Sequence, residues 1–162
     1  MIRTILVALD GSARAPGVFA AAVEIARRFE AELVPLRAIF IPAEFPPAAH
    51  VVGNDPLSKH MIEDAERALA KLVGSAPGVR VAEPVVRHGQ PWRVILEVSD
   101  ELDVDLIAMG SHGYHGFDRV LGTTAGKVAN LAQRNVLVVH RRPDRSSDPS
   151  TLPTEKDRPS HP

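Results

Sequence analysis

Ile5-Leu6-Val7-Ala8-Leu9 is an unbroken apolar run of strand length that stops at Asp10-Gly11-Ser12. A strand with one wet face alternates apolar and polar residues. An unbroken run suits a strand covered on both faces, the condition of a parallel sheet held between helices. The stretch that follows has a different period: Val18, Ala22, Ile25 and Phe29 are spaced as one face of a helix. Pro16 fits only in the first turn of that helix, and Ser12 stands where a cap belongs. The same pair of signals recurs down the chain. Leu33–Ile39, Val79–Val86, Val104–Met109 and Asn135–His140 read as further strands. Helical patterns cover Pro56–Val73, a segment from Pro91 through Val94, Ile95, Val98 and Leu102, and Leu121–Gln133. This alternation predicts an α/β fold, an open five-stranded parallel sheet with right-handed crossover helices on both faces. Two prolines disagree with it. Pro35 and Pro84 fall inside predicted strands, where a missing N–H interrupts a ladder. Residues 40–54, with Pro42, Pro46, Pro47 and Gly53, read as a long connection.

Composition narrows the function. The 162 residues suit one domain, and 19 basic against 20 acidic side chains leave a net charge of −1, which argues against a general nucleic-acid binder. The absence of cysteine excludes disulfide scaffolds, thiolate zinc sites and thiol catalysis. It also fits a reducing compartment, so a cytoplasmic location is expected. No apolar run approaches the ~18 residues of a membrane span. Met1–Asp10 lacks the cleavage pattern of a signal peptide. Five of the 14 prolines lie in 141–162, a stretch whose only large apolar residue is Leu152. Such a segment cannot bury enough surface to offset its ordering entropy, so 141–162 is expected to be a disordered Pro/Ser/charged tail and 1–140 the folded domain.

Open sheets of this kind bind ligands beyond the carboxyl ends of their strands, where the strand order reverses. Two predicted strand ends carry suitable loops. One is Asp10-Gly11-Ser12. The other runs from Gly110 to Lys127 and holds four of the 11 glycines between 110 and 122. Glycine lets a ligand approach main-chain N–H groups, and Thr123-Thr124 opens a helix whose positive N-terminus suits a phosphate. The chemistry implied is anion binding, most naturally a nucleotide polyphosphate. The plainer alternative is that the glycines only shape a turn, that Thr123 caps the helix and that Asp10 caps the turn after its strand. Gly122-Thr123-Thr124-Ala125-Gly126-Lys127-Val128 is not a Walker A loop, because its glycines are one residue too close and Val128 stands in place of the hydroxyl. A three-glycine dinucleotide turn is absent after the first strand. His112 and His115 lack a third ligand, so no metal site is assigned. Lys127 reads as a solvated helix residue and Trp92 as a packing residue at a helix start. Arg119 fits either a phosphate contact or a surface charge. No nucleophile–base pair is visible, and no catalytic residue is assigned.

Several ordered motifs carry a family resemblance. Val7-Ala8-Leu9-Asp10-Gly11-Ser12, Val86-Arg87-His88-Gly89-Gln90-Pro91, Asp105-Leu106-Ile107-Ala108-Met109-Gly110-Ser111-His112-Gly113 and Asn135-Val136-Leu137-Val138-Val139 resemble the universal stress protein family over about residues 2–140. The resemblance implies a Rossmann-like five-stranded sheet, a homodimer formed through the last strand and, in one branch, ATP binding, with or without Mg²⁺. That branch carries Gly-x2-Gly-x9-Gly-[Ser/Thr]. Here Gly110 and Gly113 match, and Gly122 follows after eight residues. A one-residue deletion would make Gly122-Thr123 the phosphate-binding pair. Holding the count at nine would instead put Thr123 at the glycine and Thr124 at the hydroxyl. By resemblance, Ala8 would line the base pocket, Asp10 would meet the ribose or the adenine edge, and Ala38 would offer backbone groups to adenine. Met109 and Gly110 would lie by the ribose, and Gly113, Gly122, Thr123 and Thr124 would hold the phosphates. The expected function is an ATP-binding, nucleotide-dependent regulatory module of the stress response, at most a slow ATPase. It would have no nucleic-acid or membrane partner. The alternative is a dimeric interaction protein of the same fold that uses no nucleotide.

Overall fold

A computed structural model describes residues 1–40, 56–111 and 122–140. The expected long connection (but for Phe40) and the expected tail lie outside the described residues. The elements in chain order are β1 (Thr4–Ala8), α1 (Ala15–Phe29), β2 (Glu32–Ile39), α2 (Pro56–Val73), β3 (Arg80–Val81), β4 (Val85–His88), α3 (Pro91–Glu101), β5 (Leu106–Gly110), α4 (Thr123–Leu131) and β6 (Asn135–Val139). Every strand pairing is parallel. The order is β3-β2-β1-β5-β6, with β4 also paired to β2. The sheet therefore has five lines of strand, as expected, and its third line in the chain is broken into β3 and β4.

The two discordant prolines explain that break together. Successive residues of a strand turn their backbone groups to opposite neighbours. In β2 the carbonyls of Leu33 and Ile39 accept the N–H groups of Ala82 and Gly89, at 2.8 and 2.9 Å, whereas the Leu36 carbonyl accepts Leu9 N–H at 2.9 Å from the β1 side. Pro35 thus faces the third line. Leu33 pairs with Val81. Extending that register puts Pro35 opposite Glu83, where the next two donors would be the nitrogens of Pro35 and Pro84. Neither carries a proton. The ladder stops there and resumes with Leu36 opposite Val85, one residue out of register, which is a bulge. The two prolines are one interruption, and Pro35 stays fully buried in a central strand.

The unbroken apolar runs are explained by two cores, one on each face. Ile5, Val7, Leu33 and Ala108 meet Val18, Phe19 and Ala22 of α1 and Leu69 of α2. Leu6, Val34, Leu36, Ile107 and Met109 meet Val94, Ile95 and Val98 of α3 and Ala125 and Val128 of α4. The buried stripe of α1 also takes in Val23 and Ala26, while Phe29 is half exposed at the helix end. The helix starts at Ala15 with Arg14 as its cap residue and Pro16 in its first turn. Ser12 caps nothing in α1. Its Oγ accepts Arg14 N–H at 3.2 Å in a turn that precedes the helix, whose cap residue lies two positions later. No helix among the described residues is long and apolar enough to cross a membrane.

At the opposite end of the sheet, Asp105 clamps the start of β1. Its Oδ2 accepts the N–H groups of Arg3 at 2.7 Å and Thr4 at 3.0 Å. These bonds, that of Arg3 foremost, hold its carboxyl below the ordinary range. A depressed folded-state value contributes stability that is complete above the ordinary carboxylate range and is lost as pH falls through the depressed value. Asp105→Ala is therefore expected to lower the thermal midpoint at neutral pH, with the gap to wild type closing in acid. Melting curves across pH test this, and a gap independent of pH would contradict it.

Candidate functional site

The strand order reverses between β1 and β5. From β1 the chain crosses by α1 to β2 on one side, and from β5 it crosses by α4 to β6 on the other. Beyond the carboxyl ends of these two strands the connections diverge, the place where open α/β sheets form their ligand crevice. Ala8 ends β1 and is half-buried. Its register partners are Leu36 and Met109. Ala8 and Ala38 both pack on the core of the α3–α4 face, to which buried Met109 belongs. Two alanines thus stand on the side of the sheet from which α3 and α4 begin, and they carry less bulk there than larger residues would.

Asp10 emerges from this floor and is exposed. Its Oδ1 accepts Ser12 N–H at 2.9 Å, so it shapes the turn as an Asx motif. Gly11 has φ +70°, and a Cβ there would lie 1.6 Å from Arg37 Nη1. The Arg37 guanidinium therefore lies directly over the turn; a side chain at this position would displace it, and the positive φ itself favours glycine. Arg37 is not among the expected site residues, although it is the single charge within the apolar run Leu33–Ile39.

Gly110 ends β5 close to α1, where a Cβ would stand 3.4 Å from Val18 Cγ2. Ser111 N–H donates to the Val139 carbonyl at 3.1 Å, and the Ser111 carbonyl accepts Gly122 N–H at 3.2 Å. The chain thus leaves and re-enters segment 112–121 at adjacent points, which delivers α4 to the end of β5. Gly113, like His112, His115 and Arg119, lies outside the described residues. Gly122 is the cap residue of α4 and is buried; no side chain among the described residues caps the helix. The Gly122 N–H is engaged by Ser111, so the donors open to an anion are those of the first helical turn, with the hydroxyls of exposed Thr123 and half-buried Thr124.

The structure thus gathers Ala8, Asp10, Ala38, Met109, Gly110, Gly122, Thr123 and Thr124 around one set of strand ends. The arrangement offers small apolar walls, one carboxylate, and an uncapped helix N-terminus with two hydroxyls. That combination suits a ligand with a flat apolar part, a hydroxylated middle and an anionic end. Among the described residues no group of three His, Asp or Glu side chains could hold a metal ion. A separate groove of about 430 Å³ lies between α1 and α2, lined by Phe19, Val23, Glu24 and Leu72 among others. None of the strand-end residues lines it.

The universal stress protein family model matches residues 1–140. Universal stress protein A homolog 1 of Coxiella burnetii is 31% identical over 144 residues, covering 83% of this chain and 94% of that protein. Among solved structures, the universal stress protein UspA from Lactobacillus plantarum is 28% identical with a TM-score of 0.68, covering 86% of this chain and 98% of that one. A universal stress protein solved in complex with cAMP is 25% identical with a TM-score of 0.64, covering 86% of this chain and 97% of that one.

Proposed function

Because this chain belongs to the universal stress protein family, we propose that it is a nucleotide-dependent regulatory module that binds ATP in the crevice between β1 and β5. The observation that carries this reading is the meeting of a small-walled floor with an uncapped helix N-terminus at the reversal of strand order. The cAMP complex of a related protein supports an adenine nucleotide as the ligand class. The roles are those that the family resemblance implies, and the chemistry of each group suits them. Ala8 and the backbone at Ala38 face the base. The free oxygen of Asp10 accepts from ribose hydroxyls, and Met109 and Gly110 flank the sugar. Thr123, Thr124 and the first-turn N–H groups of α4 hold the phosphates. Gly122 contributes close approach rather than a donor, and Gly113 is assigned by resemblance. Mg²⁺, if carried, would be held largely by the phosphates and water, as is usual for this ion. Domain 1–140 is the binding unit, 141–162 a tail outside it, and the cytoplasm the proposed location. Such a cradle positions a phosphate without activating water, so hydrolysis is at most slow.

Mass spectrometry of nucleotide released from the rapidly purified protein tests the reading. An adenine nucleotide near one per chain is expected. A protein that carries none, and retains none after incubation with ATP, would refute it. The same result would favour the alternative of an interaction protein without nucleotide, for which the engaged Gly122 N–H is the supporting feature.

The homodimer is proposed through β6. This strand ends the described sheet order, and its apolar residues Val136–Val139 are half-buried. The Val139 carbonyl accepts from Ser111 on the β5 side, so by alternation the backbone groups of Val136 and Val138 point outward. An apolar edge with open donors invites pairing with a second copy. Light scattering is expected to give twice the 17.5 kDa chain mass. Val138→Pro removes an outward donor without touching the inner ladder and is expected to yield a folded monomer. An unchanged dimer in that variant would place the interface elsewhere.

A further inference from the structure

The chain's single tryptophan carries two cations on its ring. Lys127 Nζ lies 4.9 Å from the Trp92 ring centroid and Arg93 Cζ lies 5.2 Å from it. The Trp92 Nε1–H donates to Gln90 Oε1 at 2.9 Å, which fixes the indole at the start of α3. Trp92 packs on the same core as Ala8 and Ala38, so the indole stands on the crevice face of the sheet. Lys127 reaches it from α4, where it is exposed and follows Thr123 by four residues. Residues at that spacing share a helix face, and helical side chains lean toward the N-terminus. The ammonium is therefore carried toward the end of α4 at which Thr123 and Thr124 stand. Two like charges on one ring repel each other, so Lys127 is held loosely.

Resting on the ATP-binding reading above, we propose that Lys127 selects a phosphorylated nucleotide over an unphosphorylated one, moving from the Trp92 indole to a phosphate of the ligand. A charge-assisted hydrogen bond to phosphate is stronger than an exposed cation–π contact, which sets the direction of the exchange. Trp92 is the positioning residue: it keeps the ammonium at the crevice mouth rather than in open solvent.

The test titrates the full chain with ATP and with adenosine by calorimetry, for wild type, Lys127→Gln and Lys127→Arg, and follows Trp92 emission alongside. Lys127→Gln is expected to weaken ATP about tenfold and leave adenosine unchanged, with Lys127→Arg recovering most of the loss. ATP, but not adenosine, is expected to change the emission of wild type, and that response is expected to vanish in Lys127→Gln even at saturating ATP. Wild type that binds ATP alongside an equally tight Lys127→Gln would overturn the role of Lys127 and leave the nucleotide site standing. Equal weakening of ATP and adenosine would overturn it as well, by reducing Lys127 to a structural part. Wild type that binds no ATP would overturn both this assignment and the reading beneath it.

Discussion

An Ala8→Phe protein is expected to lose at least about a hundredfold in ATP affinity while keeping its fold. Ala8 is the last residue of β1, half-buried, with Leu36 on one side and Met109 on the other. Its methyl group shares the α3–α4 face of the sheet with Ala38. If the base lies on this floor, a benzyl group there occupies the volume the base needs, and no backbone donor can compensate. The position is at a strand end with one open side, so the ring can extend into the crevice rather than into the core. The fold should lose no more than the ~1–3 kcal/mol typical of overpacking, against a total stability of roughly 5–15 kcal/mol. Calorimetric titration reads the first effect and thermal denaturation the second. An Ala8→Phe protein that binds ATP as wild type does would move the base away from β1.

Ile107→Ala carries the largest expected cost in stability. Ile107 is 0% exposed in β5, paired with Leu6 on one side and Val136 on the other. It packs with Val94, Val98 and Val128, so both helices of that face rest on it. Removing its outer carbons leaves a cavity walled by two strands and two helices that cannot all move in. A loss of about 2–5 kcal/mol follows, seen as a fall in melting midpoint of roughly 5–20 °C. Ile107→Val should cost only about 0.5–1.5 kcal/mol. A midpoint within two degrees of wild type for Ile107→Ala, on the order of the error of the comparison, would mean that the two-faced core does not centre on β5.

The sheet was legible because burial on both faces leaves a local trace. Ile5–Leu9 has no polar partner to alternate with, and it lies between two helix layers. The break at Pro35 and Pro84 was not legible as a unit. Each proline alone reads as a defect, and only the register between β2 and the third line shows that they remove two adjacent bonds of one ladder. The start of α1, three residues after Ser12, is hidden for a similar reason. Ser12 has the chemistry of a cap, but the Asp10 carboxylate takes its N–H and holds it in a turn before the helix. At the site, Asp10 and the glycine loop announced themselves by residue type at strand ends. Ala8 and Ala38 did not, since a small wall is a lack of bulk and leaves no pattern. They came from family resemblance, and the structure puts them on one face. Arg37 over Gly11 and Lys127 on Trp92 are contacts between distant parts of the chain, which sequence spacing cannot express.

The central claim is that the crevice between β1 and β5 takes ATP. Isothermal titration of the full 162-residue chain with ATP, run once with Mg²⁺ and once with a chelator, tests it most directly. The expected result is saturable binding at one nucleotide per chain, lost in Ala8→Phe. Absence of any binding heat up to millimolar ATP under both conditions, from protein first stripped of bound nucleotide, would contradict it.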